Sequence, residues 1–406
     1  VLISDKQLSM IKEDLIQSHS DLIIRGLLED DARIELKKIV LSDHKSAVKD
    51  TETAEYIVSE TVGTGVIEKI LKENTDVTDI GFNGTHLIIE TTKDKWIYQG
   101  KESINEEYIV RIVQKFANAV GKEFSPKNPN LSAVFGEIRL DAVHSARSGI
   151  GKTTMSLRVV RPKLMLNVNN FEMFAPTQLI PFFEKLIMKR TNIVISGQPG
   201  TGKTEFHKFL VNYIPFEDRA IMIEDVPETH IKELFPDKDI FSWIADEKWT
   251  ITKAVKAAVR NNTRWIMVTE TRDEAAFELV QGVMSGSFAV TSLHTINARA
   301  IPKRLVAMAQ MGFNVNSSTL EEDIRTFFDL GFHIKKRVIN GKTIRYLEEI
   351  VYFNPIKDIT IFEQKIRNGK LEAKTYNLPD DLKNEFADYE IDSKFPENEE
   401  FIRLIE

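Results

Sequence analysis

The sequence predicts an α/β fold with a second, α+β domain ahead of it. Three observations support this. Residues 197–204 spell Gly-Gln-Pro-Gly-Thr-Gly-Lys-Thr, a full G-x-x-x-x-G-K-[ST] pattern, set between a β-branched run at 192–196 and a helical stretch at 205–213. Short apolar runs at 192–196, 220–223, 265–269 and 289–293 alternate with helical stretches, the mark of an α/β sheet. Residues 65–163 instead mix short strands with single helices.

In chain order, residues 1–60 are helical in pattern and heavily charged, with Leu8, Ile11, Leu15 and Ile16 near helical spacing. They are expected to form a helical N-terminal extension. Residues 64–163 are read as the α+β domain. It has an apolar helix at 66–71, strands at 77–82 and 87–90 around an Asn83-Gly84 turn, and a helix at 108–120. A hairpin at 133–140 with Gly136 in its turn and a strand at 155–160 complete it. A linker is expected over 164–174, and the α/β domain over 175–355. Near its end, 330–334 and 343–353 flank Asn340-Gly341, a strong hairpin signal. Residues 356–406 are polar and increasingly acidic, and a solvated appendage is expected there.

The 406 residues, 42% of them hydrophobic, suffice for two or three ordinary cores. A net charge of −7 argues against wholesale nucleic-acid coating, and no sequence-specific nucleic-acid partner is expected. Cysteine is absent, which fits a reducing compartment and excludes disulfides and thiolate metal sites. No apolar run reaches the ~18 residues that a membrane span needs. The first residue is Val, compatible with a trimmed start, and no targeting segment is visible. A cytosolic protein that docks on a membrane partner is the expectation.

The chemistry centres on 197–204. Gly197, Gly200 and Gly202 let successive backbone N–H groups of the loop, with Gln198, Pro199 and Thr201 between them, curl around an anion. Lys203 is expected to reach the β- and γ-phosphates of ATP, and Thr204 to ligate Mg²⁺, with Glu205 beside them at the helix start. Three further polar clusters sit at strand ends, where doubly wound folds place ligands. At 223–228, Glu224 and Asp225 are candidates to hold Mg²⁺ or orient a water. At 265–270, an apolar strand runs into Glu270, placed to position or deprotonate the attacking water. At 291–298, His294 is a candidate γ-phosphate sensor. A decoy, Gly149-Ile150-Gly151-Lys152-Thr153-Thr154, lacks the preceding strand and following helix and is read as a hairpin tip.

Together and in this order, the four clusters resemble the motor ATPases of type II secretion, type IV pili and type IV (conjugative) secretion. That family calls them Walker A, the Asp box, Walker B and the His box. Arg304 matches an arginine that follows the His box. Residues 77–84 resemble the family's V-x-D-I-x-x-N-G segment, and Ser156-Leu157-Arg158 the last strand of its N-terminal domain. The Asn340-Gly341 hairpin also resembles its C-terminal hairpin. The resemblance implies a RecA-like C-terminal domain, a PAS-like N-terminal domain covering the nucleotide, and a homo-hexameric ring. It also implies a place at the cytoplasmic face of the cell membrane, peripheral to inner-membrane and coupling proteins of the machine. Arg139 and Arg158 are the implied N-terminal-domain contacts to phosphate. The sequence departs from the family at Thr269, where Gly is usual, and at 260–264, where Arg-Pro-Asp is replaced. It also lacks a four-cysteine zinc module, which favours the conjugative or tight-adherence (CpaF-like) branch, or a retraction motor. A P-loop kinase and a nucleotide-gated scaffold with little turnover are the alternatives.

Overall fold

The computed structural model describes residues 3–26, 30–63, 66–91, 94–100, 104–135, 137–339 and 341–405. Gly136 and Asn340, expected in hairpin turns, lie outside them. The chain forms two compact units, Val1–Arg161 and Pro162–Glu406.

The first unit opens with helices α1 (Asp5–Ser18), α2 (Ser20–Arg25), α3 (Asp30–Asp43), α4 (Thr51–Val62) and α5 (Val66–Glu73). Strands β1 (Val77–Phe82), β2 (Leu87–Thr91) and β3 (Lys95–Ile97) follow, then α6 (Glu106–Ala119), β4 (Asn130–Phe135), β5 (Ile138–Val143) and β6 (Thr154–Val159). The strands make one sheet in the order β3-β2-β1-β6-β5-β4. Local chemistry sets the boundaries. Asp50 and Asn105 cap α4 and α6 by accepting from Thr53 N–H (2.7 Å) and Tyr108 N–H (2.9 Å). The Asn83 side chain accepts from Thr85 and His86 N–H, closing the turn between β1 and β2. On α6, Ile109, Ile112, Val113 and Phe116 fall on one helical face and are buried.

The N-terminal helices are not a separate extension. Leu15, Leu36, Val40 and Ile57 share one core with Ile80, Phe116 and Leu157 of the sheet layer. Their charged faces are solvated, and their apolar stripes are buried against one another and against α6, which itself lies on β4 and β5. The decoy forms exposed turns over Gly149–Lys152, and its Thr154 is the first residue of β6, as its sequence context implies.

The second unit contains α7 (Ile180–Lys189), β7 (Ile193–Gly197), α8 (Lys203–Val211), β8 (Ala220–Glu224), α9 (Ile231–Leu234), β9 (Ile240–Ile244) and α10 (Ile251–Val259). It continues with β10 (Trp265–Val268), α11 (Ala275–Met284), β11 (Phe288–Leu293), α12 (Ile301–Ala309), α13 (Ser317–Phe327), β12 (Leu330–Ile339) and β13 (Lys342–Tyr352). The last elements are β14 (Ile359–Arg367), β15 (Lys370–Thr375), α14 (Asp380–Asp388) and β16 (Glu400–Leu404). All ten strands form one sheet, ordered β16-β15-β14-β13-β12-β7-β11-β10-β8-β9. From β12 to β9 neighbours are parallel, and from β13 to β16 they are antiparallel. Every residue of β7, β8 and β10 is buried, as the continuous apolar runs demand of central parallel strands. Burying each Ile or Val of β7 contributes roughly 1.5–3 kcal/mol.

Residues 356–406 are not an appendage. Phe362, Leu371, Leu382, Phe386 and Phe395 are buried, and β14 to β16 extend the sheet. Charge on the solvated face of each strand masks the apolar alternation. The expected linker is also partly core: Phe171 and Phe174 are buried against Phe209 and Phe206 of α8, with ring centroids 5.0 and 5.2 Å apart. The boundary between units lies at Arg161/Pro162.

Candidate active site

The parallel strands β7, β8, β10 and β11 all end at one edge of the sheet, so their carboxyl-terminal loops converge. The loop after β7 is residues 197–202. A Cβ at Gly197 would sit 2.5 Å from the Ile334 carbonyl oxygen and 2.7 Å from Thr201 Oγ1, so only glycine fits between the loop and β12. Gly202 takes φ +97° as the residue preceding α8, a conformation that side chains disfavour. The Thr201 hydroxyl donates to the Gln198 carbonyl at 2.9 Å and braces the loop from inside.

Lys203 opens α8 and turns back into the loop. Its Nζ donates to the carbonyls of Gly197 (3.1 Å) and Gln198 (3.3 Å), and lies 3.2 Å from His294 Nδ1. Burial lowers its pKa to about 8; the Glu270 charge opposes the shift and the Arg272 charge adds to it. Thr204, half-buried, occupies the next position in the first turn of α8.

His294 follows β11. Its Nδ1 lies 2.8 Å from the Gly197 carbonyl and its Nε2 3.2 Å from Glu270 Oε1, so the imidazole spans from the phosphate loop to the carboxylate. Glu270 stands two residues beyond β10. Burial by itself would raise its pKa. The hydrogen bond and charge of Arg272, with the charges of His294 and Lys203, outweigh this and hold it below the usual glutamate range. Arg272 donates from Nε to Glu270 Oε1 at 2.7 Å and pairs with Asp225 Oδ2 at 3.1 Å. The ends of β10 and β11 are stitched together by Ser292 Oγ donating to the Thr269 carbonyl and by a 2.6 Å contact between the Thr271 and Thr291 hydroxyls.

Lys203, His294 and Glu270, expected from sequence to share a site, are thus in direct contact, and Asp225 joins them through Arg272. Two other expected site residues turn elsewhere. Glu224 is buried and commits both oxygens to its own loop: Oε1 accepts from Glu228 and Thr229 N–H, and Oε2 from the Thr229 hydroxyl at 2.6 Å. Its burial raises its pKa despite these bonds. It shapes the loop that presents Asp225. Glu205 accepts from Met165 N–H at 3.1 Å and pairs with the buried Lys208 at 2.7 Å. Arg139 and Arg158 belong to the first unit, where they face each other across β5 and β6; Arg139 pairs with Asp141 and Arg158 with Asp79.

Sequence reasoning missed Arg272 and Arg345 as site residues. Arg272 stood in a quoted motif, and a cation two residues after the candidate carboxylate was the available signal. Arg345, on β13, donates from Nε to the Gly200 carbonyl at 2.9 Å. No local pattern announces a contact across 145 residues.

A phosphate-loop motif and a strand-end carboxylate on one sheet define the class as a P-loop protein with a RecA-like α/β domain. A family model described as type II/IV secretion system protein matches residues 51–324, and the chain belongs to that family. An uncharacterized protein of Bacillus anthracis is 47% identical over 407 residues, covering 96% of this chain and 92% of that protein. The type IV secretion system protein VirB11 of Brucella suis is 22% identical, over 69% of this chain and 86% of its own length. The competence protein ComGA of Bacillus subtilis is 25% identical, over 55% of this chain and 62% of ComGA. Among solved structures, the pilus retraction motor PilT with bound ADP superimposes with TM-score 0.54 at 17% identity, over 72% of this chain and 83% of that one. The Legionella pneumophila ATPase DotB gives 0.51 at 17% identity, over 71% and 81%. These two likenesses establish the two-domain fold.

Proposed function

We propose that the chain is an ATPase, hydrolysing ATP to ADP and phosphate, that powers a secretion or pilus machine. One observation carries the reading: His294 joins the lysine of the phosphate loop to the carboxylate at the end of β10, with both links at 3.2 Å. The residues fit the substrate. The positive-φ glycines at 200 and 202 let the loop turn its backbone N–H groups toward an anion, and Lys203 supplies charge to the β- and γ-phosphates. Glu270, kept ionised by Arg272, accepts a hydrogen bond from the attacking water and aligns it. His294 senses the γ-phosphate and relays its presence to Glu270.

Among the described residues, no group of three or more His, Asp or Glu side chains is placed to hold a metal by itself. Mg²⁺ takes one or two protein oxygens and completes its shell with the substrate's phosphates and water. Thr204 and Asp225 are the oxygen donors offered here. The ion would neutralise charge on the transferred phosphoryl group.

Membership of the secretion family supports a homo-hexameric ring at the cytoplasmic face of the membrane, in contact with inner-membrane components of a conjugative, secretion or pilus machine. No helix among the described residues is long and apolar enough to cross a membrane. In this reading Arg139 and Arg158 supply charge to the phosphates. A nucleotide-gated scaffold with little turnover is the second reading. It is favoured by the double engagement of Glu270 Oε1, by Arg272 and by His294. Steady-state phosphate release separates the two. The ATPase reading expects sustained multiple turnovers, and release limited to one equivalent per chain supports the scaffold.

A further inference from the structure

The hairpin of β12 and β13 brings two cations over the phosphate loop. Lys336 and Arg345 are directly opposed in the hairpin register. Lys336 Nζ lies 3.1 Å from where a Cβ on Gly200 would be, and Arg345 Cδ 3.7 Å from where one on Gly202 would be. Arg345 Nε donates to the Gly200 carbonyl at 2.9 Å.

That hydrogen bond has a geometric consequence. In a planar trans peptide the C=O and the following N–H point in opposite directions. Drawing the Gly200 carbonyl toward β13 therefore turns the Thr201 N–H inward. Its partner confirms the direction: the Thr201 N–H faces the Gln198 carbonyl at 3.4 Å, the same oxygen that Lys203 Nζ reaches from inside the loop. The 3.4 Å contact is long for a hydrogen bond, so this N–H is readily given up to a better acceptor.

We propose that Arg345 is a positioning residue for the nucleotide, presetting the Gly200–Thr201 peptide so that the Thr201 N–H meets a phosphate oxygen. The proposal rests on the reading that this loop binds ATP. It assigns Arg345 to ground-state binding rather than to the chemical step, because the peptide it orients lies on the loop and not at Glu270.

The test is steady-state ATPase kinetics on the full chain, comparing wild type, Arg345→Ala and Arg337→Ala, with melting temperatures for all three. Arg337 lies on the same hairpin, opposite Ile344, and is exposed, so it controls for charge. In Arg345→Ala the KM for ATP is expected to rise about five- to ten-fold, the loss of one positioned hydrogen bond, with kcat within about two-fold. Arg337→Ala is expected to match wild type, with all three melting alike. A wild-type KM in Arg345→Ala overturns the proposal, as do equal KM increases in both variants. A wild-type chain that neither binds nor hydrolyses ATP overturns the reading beneath it, and is recognised before any variant is compared.

Discussion

Arg272 donates from Nε to Glu270 Oε1 at 2.7 Å, and its Nη1 reaches Asp225 at 3.1 Å, so one guanidinium ties the carboxylate after β10 to the one after β8. The pair explains why Glu270 stays ionised although half-buried. In the proposed reaction this carboxylate is the acceptor that orients water, with a basicity reduced by its cationic neighbours.

Glu270→Gln keeps the shape and removes the charge. The kcat for ATP is expected to fall by ~10²-fold or more while nucleotide affinity holds, the pattern of a lost general base or water-positioning group. Equilibrium binding of a fluorescent ATP analogue beside turnover measures both. Weaker binding with unchanged turnover per bound nucleotide would place Glu270 among the binding groups instead.

Arg158→Ala probes the proposed role of this arginine in the reaction. If Arg158 stabilises charge on the transferring phosphoryl group, kcat is expected to drop by ~10-fold or more and affinity far less. ATPase kinetics decide this, together with small-angle scattering with and without a non-hydrolysable analogue. A variant that hydrolyses and compacts like wild type would leave Arg158 with a structural role, as in its pair with Asp79.

Stability is expected to fall in acid, in part through two histidines. His207 is fully buried, with neither ring nitrogen hydrogen-bonded among the described residues, and burial lowers its pKa from 6.5 to about 3. Burial, with the Lys335 and Lys203 charges, takes His333 to about 4. Both folded values lie below the unfolded one. The stabilising contribution is therefore whole above pH 6.5 and is lost as pH falls through the interval down to the folded values. Asp329 acts in the opposite sense: burial raises it from 3.8 to about 6, so its contribution is lost as pH rises through that range. His207→Leu is expected to lose less melting temperature between about pH 7 and pH 5 than wild type, because a ring that must shed its charge is gone. Parallel melting curves at the two pH values would contradict this role for His207.

Much of the second unit was legible because its signals are local. The β-branched run of β7, the glycines of 197–202 and the strand-end carboxylates declare themselves within a few residues. Long-range pairing did not. The strands β14 to β16 carry charged residues among their apolar ones, and β9 is only a five-residue, largely apolar run; both emerge only beside neighbouring strands. Residue type also failed to specify direction. Glu224 and Glu270 look alike at their strand ends, yet one faces its own loop and the other faces His294. Arg345 was invisible because sheet order, not sequence distance, lays β12 beside β7.

The most direct test of the central claim is steady-state release of inorganic phosphate from ATP by the purified chain, with Mg²⁺ or with excess chelator, alongside Lys203→Ala and Lys152→Ala. Lys203 is the buried cation of the phosphate loop, whereas Lys152 lies in the exposed turns before β6. The account predicts Mg²⁺-dependent multiple turnovers that Lys203→Ala abolishes and Lys152→Ala preserves. No release above background, or release that survives in Lys203→Ala and fails in Lys152→Ala, would contradict it.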